Sequence, residues 1–436
     1  MNPLKPWMTN RTVPQVSLLI AMVVSLFLSP MPAWAQVRPG ETITPESASK
    51  VRDLVSPGVY YYVMHGMRMD IIPTERLEWP PPYVSATEKY SGQVRLSPDH
   101  RSLVGYVAGQ PFPFLDANDP YVATKIMWDN AYRPIFTDDY DLRSFDCTSQ
   151  YSRPGQGQMV QYISVGHYAG YSLVGRTEVE PMPIDPDFLK SNRLWLFGLY
   201  PILAPADQRG GGILRYRYED PRREDDIWSW TPGARRLRRM NESMMSDNTG
   251  AQTFDADHYS GFNAKVEDYE YRLLASKRML MPIGAKHSPA VPCPYDNGST
   301  TCPENWQLRP VYVVEAISRK ANMGGGVLDS KNLLYMDSEA WWPCSVDSYN
   351  REGQLWRTFL EWVSYRDRPV PEAKIAIYPF KRIFVTADSR ADLQSGFTSV
   401  CYLPSRETPE KECWYINMGA VDKEFFTTQA MVNAAP

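Results

Sequence analysis

The longest alternating stretch lies between residues 158 and 174. Val160, Tyr162, Ser164, Gly166, Tyr168, Gly170, Ser172 and Val174 share one parity, and Met159, Gln161, Ile163, Val165, His167, Ala169, Tyr171 and Leu173 share the other. A period of two is the signature of a strand. Neither parity carries a full charge, so both faces of this strand are covered, or one of them lines a cavity. Its glycines predict bends in a curved sheet. Leu194 to Leu203 reads as a further apolar strand. From Ile213 on, Leu214, Tyr216 and Tyr218 alternate with Arg215 and Arg217, which predicts a half-buried strand with its apolar side inward. Asp220-Pro221 breaks that run, since proline lacks the N–H a ladder needs. Ile227, Trp228 and Trp230 form the next strand. Pro232-Gly233 stops it, and Arg235, Arg236, Arg238 and Arg239 follow as a short basic segment.

The same pattern continues toward the C-terminus. Val266–Met281, Arg309–Arg319, Val327–Met336, Trp341–Val346, Leu355–Tyr365 and Lys374–Thr386 are spaced as an antiparallel meander. Helical signals are few. Pro45–Leu54 has proline in its first turn, Val84–Tyr90 follows a rigid proline run, and Asp119-Pro120 opens a helix with Ala123, Ile126, Met127, Trp128 and Ala131 on its apolar side. Val421–Met431 predicts a terminal helix. Val59–Ile72, rich in Val, Tyr and Ile, predicts a long strand or a hairpin about His65-Gly66, and Gln93–Leu96 with Leu103–Val107 a second hairpin. The fold class is therefore mainly β. With 13% aromatic residues and 38 prolines, the sheet carries long irregular connections.

The first 35 residues stand apart. Lys5 and Arg11 precede an apolar run from Val16 to Leu28, and Ala33-Trp34-Ala35 offers a small-x-small cleavage site before Gln36. That run is shorter than the roughly 20 residues a membrane span needs, so it reads as a signal peptide. Residues 36–436 are expected to form a single domain, exported and soluble. The leader is basic, so the remainder is more acidic than the whole chain's −4, which argues against nucleic acid as a partner.

Six cysteines fit an oxidising compartment. Cys293 and Cys302 bracket a turn-rich loop, Cys401 and Cys413 another. Pairing each locally leaves Cys147 for Cys344, a preference among many connectivities. No Cys-x-x-Cys spacing or His cluster supports zinc. Asp255, Asp257 and His258 are too close in sequence to face one ion from a regular helix, and read as a capped helix start. Gly-x-Ser-x-Gly, His-Glu-x-x-His and a phosphate loop are all absent, and no cofactor is implied.

Three blocks carry a family resemblance. Gly109-Gln-Pro-Phe-Pro-Phe-Leu-Asp precedes Asp119-Pro120 and Lys125-Ile-Met-Trp-Asp-Asn130. Asp225-Asp-Ile-Trp-Ser-Trp-Thr-Pro232 leads to Arg235-Arg-Leu-Arg-Arg239. Tyr335-Met-Asp337, Trp341-Trp-Pro343 and Gly353-Gln-Leu-Trp-Arg357 form the third. Together they resemble an uncharacterised family of Gram-negative periplasmic proteins, the domain of unknown function thirteen-twenty-nine. The resemblance covers nearly all of the chain after the leader. It implies a fold similar to the lipoprotein carriers LolA and LolB: a curved, incomplete antiparallel β-barrel with helices at its mouth. It also implies an association with inner-membrane transporters of the resistance–nodulation–division superfamily, and supplies no catalytic residues.

The expected function is a periplasmic carrier or binding protein for a hydrophobic, lipid-like ligand, with an inner-membrane transporter and an outer-membrane partner. Tyr162, Tyr216, Trp228, Trp230 and Tyr271 are the expected cavity lining, and core packing is the plainer role for each. Arg235, Arg236, Arg238 and Arg239 are expected at an anionic head group or a partner; ion pairing with Glu224, Asp225 and Asp226 is the competing role. A non-catalytic envelope or carbohydrate-binding adaptor, and a lipid or sugar hydrolase, are the rival functions.

Overall fold

The computed structural model describes residues 37–152, 158–240, 253, 257, 260–319, 329–408 and 411–434. The expected leader and cleavage site lie outside them, as do Asp255, His258 and the side chain of Tyr162.

The N-terminal part contains β1 (Thr42–Ile43), α1 (Pro57–Met64), β2 (Met69–Ile71), α2 (Pro81–Tyr90), β3 (Arg95–Leu96), β4 (Leu103–Val104) and α3 (Val122–Ala131). A run of strands follows: β5 (Asp139–Ser152), β6 (Gln158–Ser172), then α4 (Pro186–Ser191), β7 (Arg193–Ala204), β8 (Gly212–Tyr218), β9 (Asp226–Thr231) and β10 (Arg236–Met240). After a long connection come β11 (Tyr269–Met281), β12 (Glu304–Ser318), β13 (Lys331–Asp337), β14 (Trp342–Tyr349), β15 (Leu355–Arg366), β16 (Arg382–Asp392) and β17 (Phe397–Tyr402). The short β18 (Trp414–Ile416) and α5 (Thr428–Asn433) end the chain.

From β5 to β10, and again from β11 to β17, each strand pairs antiparallel with the next in sequence. β17 then returns to pair with β5, Cys401 opposite Cys147. The strands thus form a sequential meander wrapped almost into a barrel and left open at one place, between β10 and β11. Among the described residues, β10 pairs only with β9 and β11 only with β12. Both open edges are blunted by charge: Arg236, Arg238 and Arg239 on β10 and Glu270 and Arg272 on β11 are exposed or pair across the surface. This is the mainly β, incomplete barrel that the resemblance implied.

Much of the sheet is covered on both faces, although Met159, Val160 and Ile163 at the start of β6 are exposed. On the concave side α3 buries Ile126 and Met127 against Met279, Val311, Trp342 and Val346. On the convex side α1 sets Val59 and Tyr62 against Trp306, Leu360 and Trp362. Further round, the C-terminal segment lays Phe426 and Met431 over Tyr216 and Leu214.

Three local expectations are corrected. Val59–Met64 is helical, not a strand. Ser56 Oγ accepts the Val59 N–H at 3.1 Å, and Pro57 occupies the first turn, where its missing N–H is harmless. Packing overrides the β propensity of the Val-Tyr-Tyr-Tyr run. Gly58 lies so close to β14 and β15 that a Cβ would stand 2.0 Å from Thr358 Oγ1. The expected terminal helix is split into a turn at Lys423–Phe426 and α5, which Thr427 caps through the Ala430 N–H. The disulfides are Cys293–Cys302 and Cys147–Cys401. The first is the expected local pair. The pairings Cys401–Cys413 and Cys147–Cys344 do not form, because Cys401 sits in β17 rather than in a loop and faces Cys147 across the ladder. Cys344 and Cys413 are buried outside both bridges.

Candidate ligand cavity

A cavity of about 770 Å³ lies inside the unfinished barrel, between α3 and the concave faces of β5 to β9, β16 and β17. That is within the usual size of small-ligand sites. Its wall is aromatic toward β5–β7. The Phe145 and Tyr168 rings are 5.6 Å apart, those of Tyr140 and Tyr168 5.9 Å, and those of Tyr168 and Phe197 6.0 Å. Glycines make this wall possible. In the β5–β6 ladder Tyr140 opposes Gly170 and Phe145 opposes Gly166. A Cβ at Gly170 would lie 2.2 Å from the Tyr140 ring, so the ring occupies the space a side chain would need. Met127, Trp128 and Ala131 of α3 form the opposite side.

Toward the opening the lining changes to charge. Arg215 and Arg217 of β8 border the cavity, at 3% and 8% exposure. Arg215 Nε donates to Asp225 Oδ2 at 2.7 Å and Nη2 to Asp257 at 3.2 Å; Arg217 Nε reaches the same Asp225 oxygen at 3.2 Å. Lys265 Nζ stands 3.4 Å from Asp225 Oδ1 and donates to the Arg223 carbonyl. Both guanidinium groups lie against the Trp195 ring, at 5.5 and 4.7 Å from its centroid. Burial alone would raise the Asp225 carboxyl, but the charges of Arg217, Arg215 and Lys265 outweigh it and hold Asp225 well below the usual carboxylate range. Arg217 Nη1 also donates to the Asn263 carbonyl at 2.9 Å. The network therefore fastens residues 263–265, which lead from the open edge into β11, to the inner wall.

Two further ionisable groups border the cavity away from this network. Burial pushes the Asp388 carboxyl up to about 8, and its Oδ1 has no hydrogen-bond partner. Burial also draws the Arg133 guanidinium down to about 10; it lies 4.3 Å above the Trp342 ring. Among the described residues no group of three or more His, Cys, Asp or Glu could hold a metal ion.

The match to known families decides where this architecture belongs. A family model described as a protein of unknown function, DUF1329, matches residues 42–432. The chain is a member of the DUF1329 family. No curated protein matches it. Solved structures similar to this DUF1329 protein include an outer membrane lipoprotein-sorting protein domain from Vibrio parahaemolyticus, 14% identical, covering 71% of this chain and 98% of its own, with a TM-score of 0.46. A DUF1329 family protein from Desulfovibrio piger is 13% identical, with 71% and 97% covered and a TM-score of 0.44. A LolA superfamily protein from Nitrosomonas europaea is 15% identical, with 71% and 98% covered and a TM-score of 0.37.

The expected lining of this DUF1329 cavity is largely displaced. Trp230 borders it. Tyr216 and Trp228 do not: they point to the convex side, where the Tyr216 hydroxyl donates to the Phe426 carbonyl at 2.7 Å and Trp228 packs beside Phe425. Tyr271 is packed near Tyr269 on β11 and also stays outside the lining. The reason is parity. Facing of β8 and β9 is set by the C-terminal segment, which gives Tyr216 and Trp228 an apolar cover on the outer side. That leaves Arg215, Arg217, Ile227 and Ser229 inward. The basic segment also proves to be a strand. Arg235 forms its turn at φ 47°, Arg236 and Arg238 share the inward parity of Thr231 and Ser229 but are exposed, and Arg239 pairs with Asp226. Of the three acids expected to meet this cluster only Asp226 does, while Asp225 is buried with Arg215 and Arg217. The groups sequence reasoning missed are Phe145, Tyr168, Trp195 and Phe197. Tyr168, Trp195 and Phe197 sat in runs read as strands, without a signal for their facing.

Proposed function

We propose that this protein is a periplasmic carrier or binding protein for a hydrophobic, lipid-like ligand held inside the open barrel. The observation that carries the reading is the aromatic cavity of about 770 Å³ closed between α3 and the sheet. Hiding about 300 Å² of ligand surface there would contribute roughly 7 kcal/mol before binding costs, at ~25 cal/mol per Å². The leader-like run before Gln36 and the two disulfides support the periplasm as its compartment. Among the described residues no helix is long and apolar enough to cross a membrane. A partner that delivers or receives the ligand, an inner-membrane transporter of the resistance–nodulation–division type among them, would meet the protein at the open edge, where Arg236 and Arg238 are exposed.

The test is native mass spectrometry with lipid extraction on protein purified from the periplasm of its own host. A lipid-like molecule near one per chain supports the reading. A bare mass that stays bare after incubation with long-chain lipids overturns it.

A further inference from the structure

We infer that the ligand is an amphiphile with an anionic oxygen head group, seated with its head at Arg217 and its chain against Phe145, Tyr168 and Phe197; this rests on the carrier reading above. Three observations lead there. The first is the division of the cavity: rings on the β5–β7 side, guanidinium and ammonium groups on the β8 side, with Trp195 of β7 between them. A ligand polar at one end and apolar along its length matches that division.

The second is the balance of charge. Four cations border the cavity: Arg133, Arg215, Arg217 and Lys265. Asp225 and Asp257 pair with three of them. Among the described residues the carboxyls that border the cavity itself are Glu267, Asp388 and Asp207. Burial pushes the Asp388 carboxyl up to about 8, which weakens it as a counter-charge at neutral pH, Glu267 stands near Arg217 and Lys265, and Asp207 is exposed. Among the described residues the four cations outnumber Asp225, Asp257 and Glu267, and a buried positive excess is stabilised by an anion that enters with the ligand.

The third is a donor without an acceptor. Arg217 is only 8% exposed, yet its Nη2 makes no hydrogen bond, while its Nε and Nη1 are engaged by Asp225 and Asn263. A buried guanidinium normally fills its fork. A carboxylate or phosphate oxygen beside Nη2 would complete it. The exposed arginines of β10 are not needed for this contact.

Carboxylate and phosphate share the chemistry, so the experiment separates them. Palmitate, palmitoyl lysophosphatidate and the uncharged hexadecanol carry comparable chains. Their affinities for the full-length protein, stripped of bound lipid, are measured by isothermal titration. The acids are expected to bind roughly tenfold or more tighter than hexadecanol, the scale of one hydrogen bond to a charged group. Preference for palmitate identifies a fatty-acid head, and preference for lysophosphatidate a phosphate head. Arg217→Gln is expected to remove the preference for the acids, so that both bind no tighter than hexadecanol, with circular dichroism checking that the variant is folded. The ratio of acid to alcohol in the unmodified protein tests the inference even if the variant does not fold. Equal affinity for all three ligands overturns the anionic head and leaves the carrier reading standing. Failure of all three to bind overturns both.

Discussion

Asp388 offers the most direct test of the cavity's electrostatics. It lies on β16 opposite Cys401, 8% exposed, with Oδ1 unpartnered. Burial pushes its carboxyl up to about 8, against the pull of the Cys401 backbone hydrogen bond, whereas in the unfolded chain it titrates near the ordinary value of about 3.9. The folded state therefore holds a proton that the unfolded state has lost between those two limits. The stability contribution is complete below pH ~4, falls as pH rises, and is exhausted once pH passes about 8. Asp388→Asn removes that dependence. At about 1.4 kcal/mol per pH unit over a gap of roughly 4 units, the variant should gain up to ~6 kcal/mol on the unmodified protein between pH 4 and 8, after which the difference levels off. Denaturant unfolding of both proteins at intervals from pH 5 to 9 measures it, and subtraction cancels the shared groups that do not interact with Asp388; Glu361, opposite it on β15, is the neighbour that does. A constant offset would come from the amide's own hydrogen bonding. A difference that does not change with pH would refute the burial argument.

Other expectations follow from the same geometry. Trp195→Phe should reduce the change in tryptophan fluorescence on ligand uptake, whereas Trp228→Phe should preserve it, because Trp195 lies against Arg215 and Arg217 in the lining and Trp228 packs on the outer side. Gly170→Val should destabilise the fold by about 1–3 kcal/mol by displacing the Tyr140 ring, with the loss read by urea unfolding. Non-reducing peptide mapping should recover Cys147 linked to Cys401, and Cys147→Ala and Cys401→Ala should each cost about 2–5 kcal/mol with no further loss in the double variant. Phe426→Ala should lower stability by about 3–5 kcal/mol by opening the cover over Tyr216, again by urea unfolding.

Much of the meander was legible because strand period and turn residues are local. β6, β7, β12 and β15 fall where alternation and proline breaks place them. Facing was not legible. An alternation of Tyr216 and Tyr218 with Arg215 and Arg217 fixes a period of two, but the rule that apolar residues point inward holds only when the other face meets water. Here Phe425, Phe426 and Met431 supply a second apolar surface on the far side, and they come from about 200 residues later in the chain. The inner arginines then need a buried acid. Asp225 provides it, although in sequence it is one member of a Glu-Asp-Asp run that reads as solvated. The α1 correction has the same origin: Gly58 fits against Asp347 and Thr358, whose strands the local sequence knows nothing about. The cross-strand disulfide was hidden because β17, a short strand rich in Ser and Thr, resembles the loop beside it.

The seam between β5 and β17 has a consequence for how the molecule comes into being. Cys147 and Cys401 are 254 residues apart, and the cavity draws Phe145 from one side of that seam and Asp388 and Leu403 from the other. During synthesis, the early meander β5–β10 emerges long before its partner. β5 then waits with an unpaired edge, open to other strands. Closing so large a loop is slow, and it is the step that creates the chamber. Newly made chains would therefore pass through a period in which they can be captured through β5 by a chaperone or a neighbour, and in which the chamber does not yet exist.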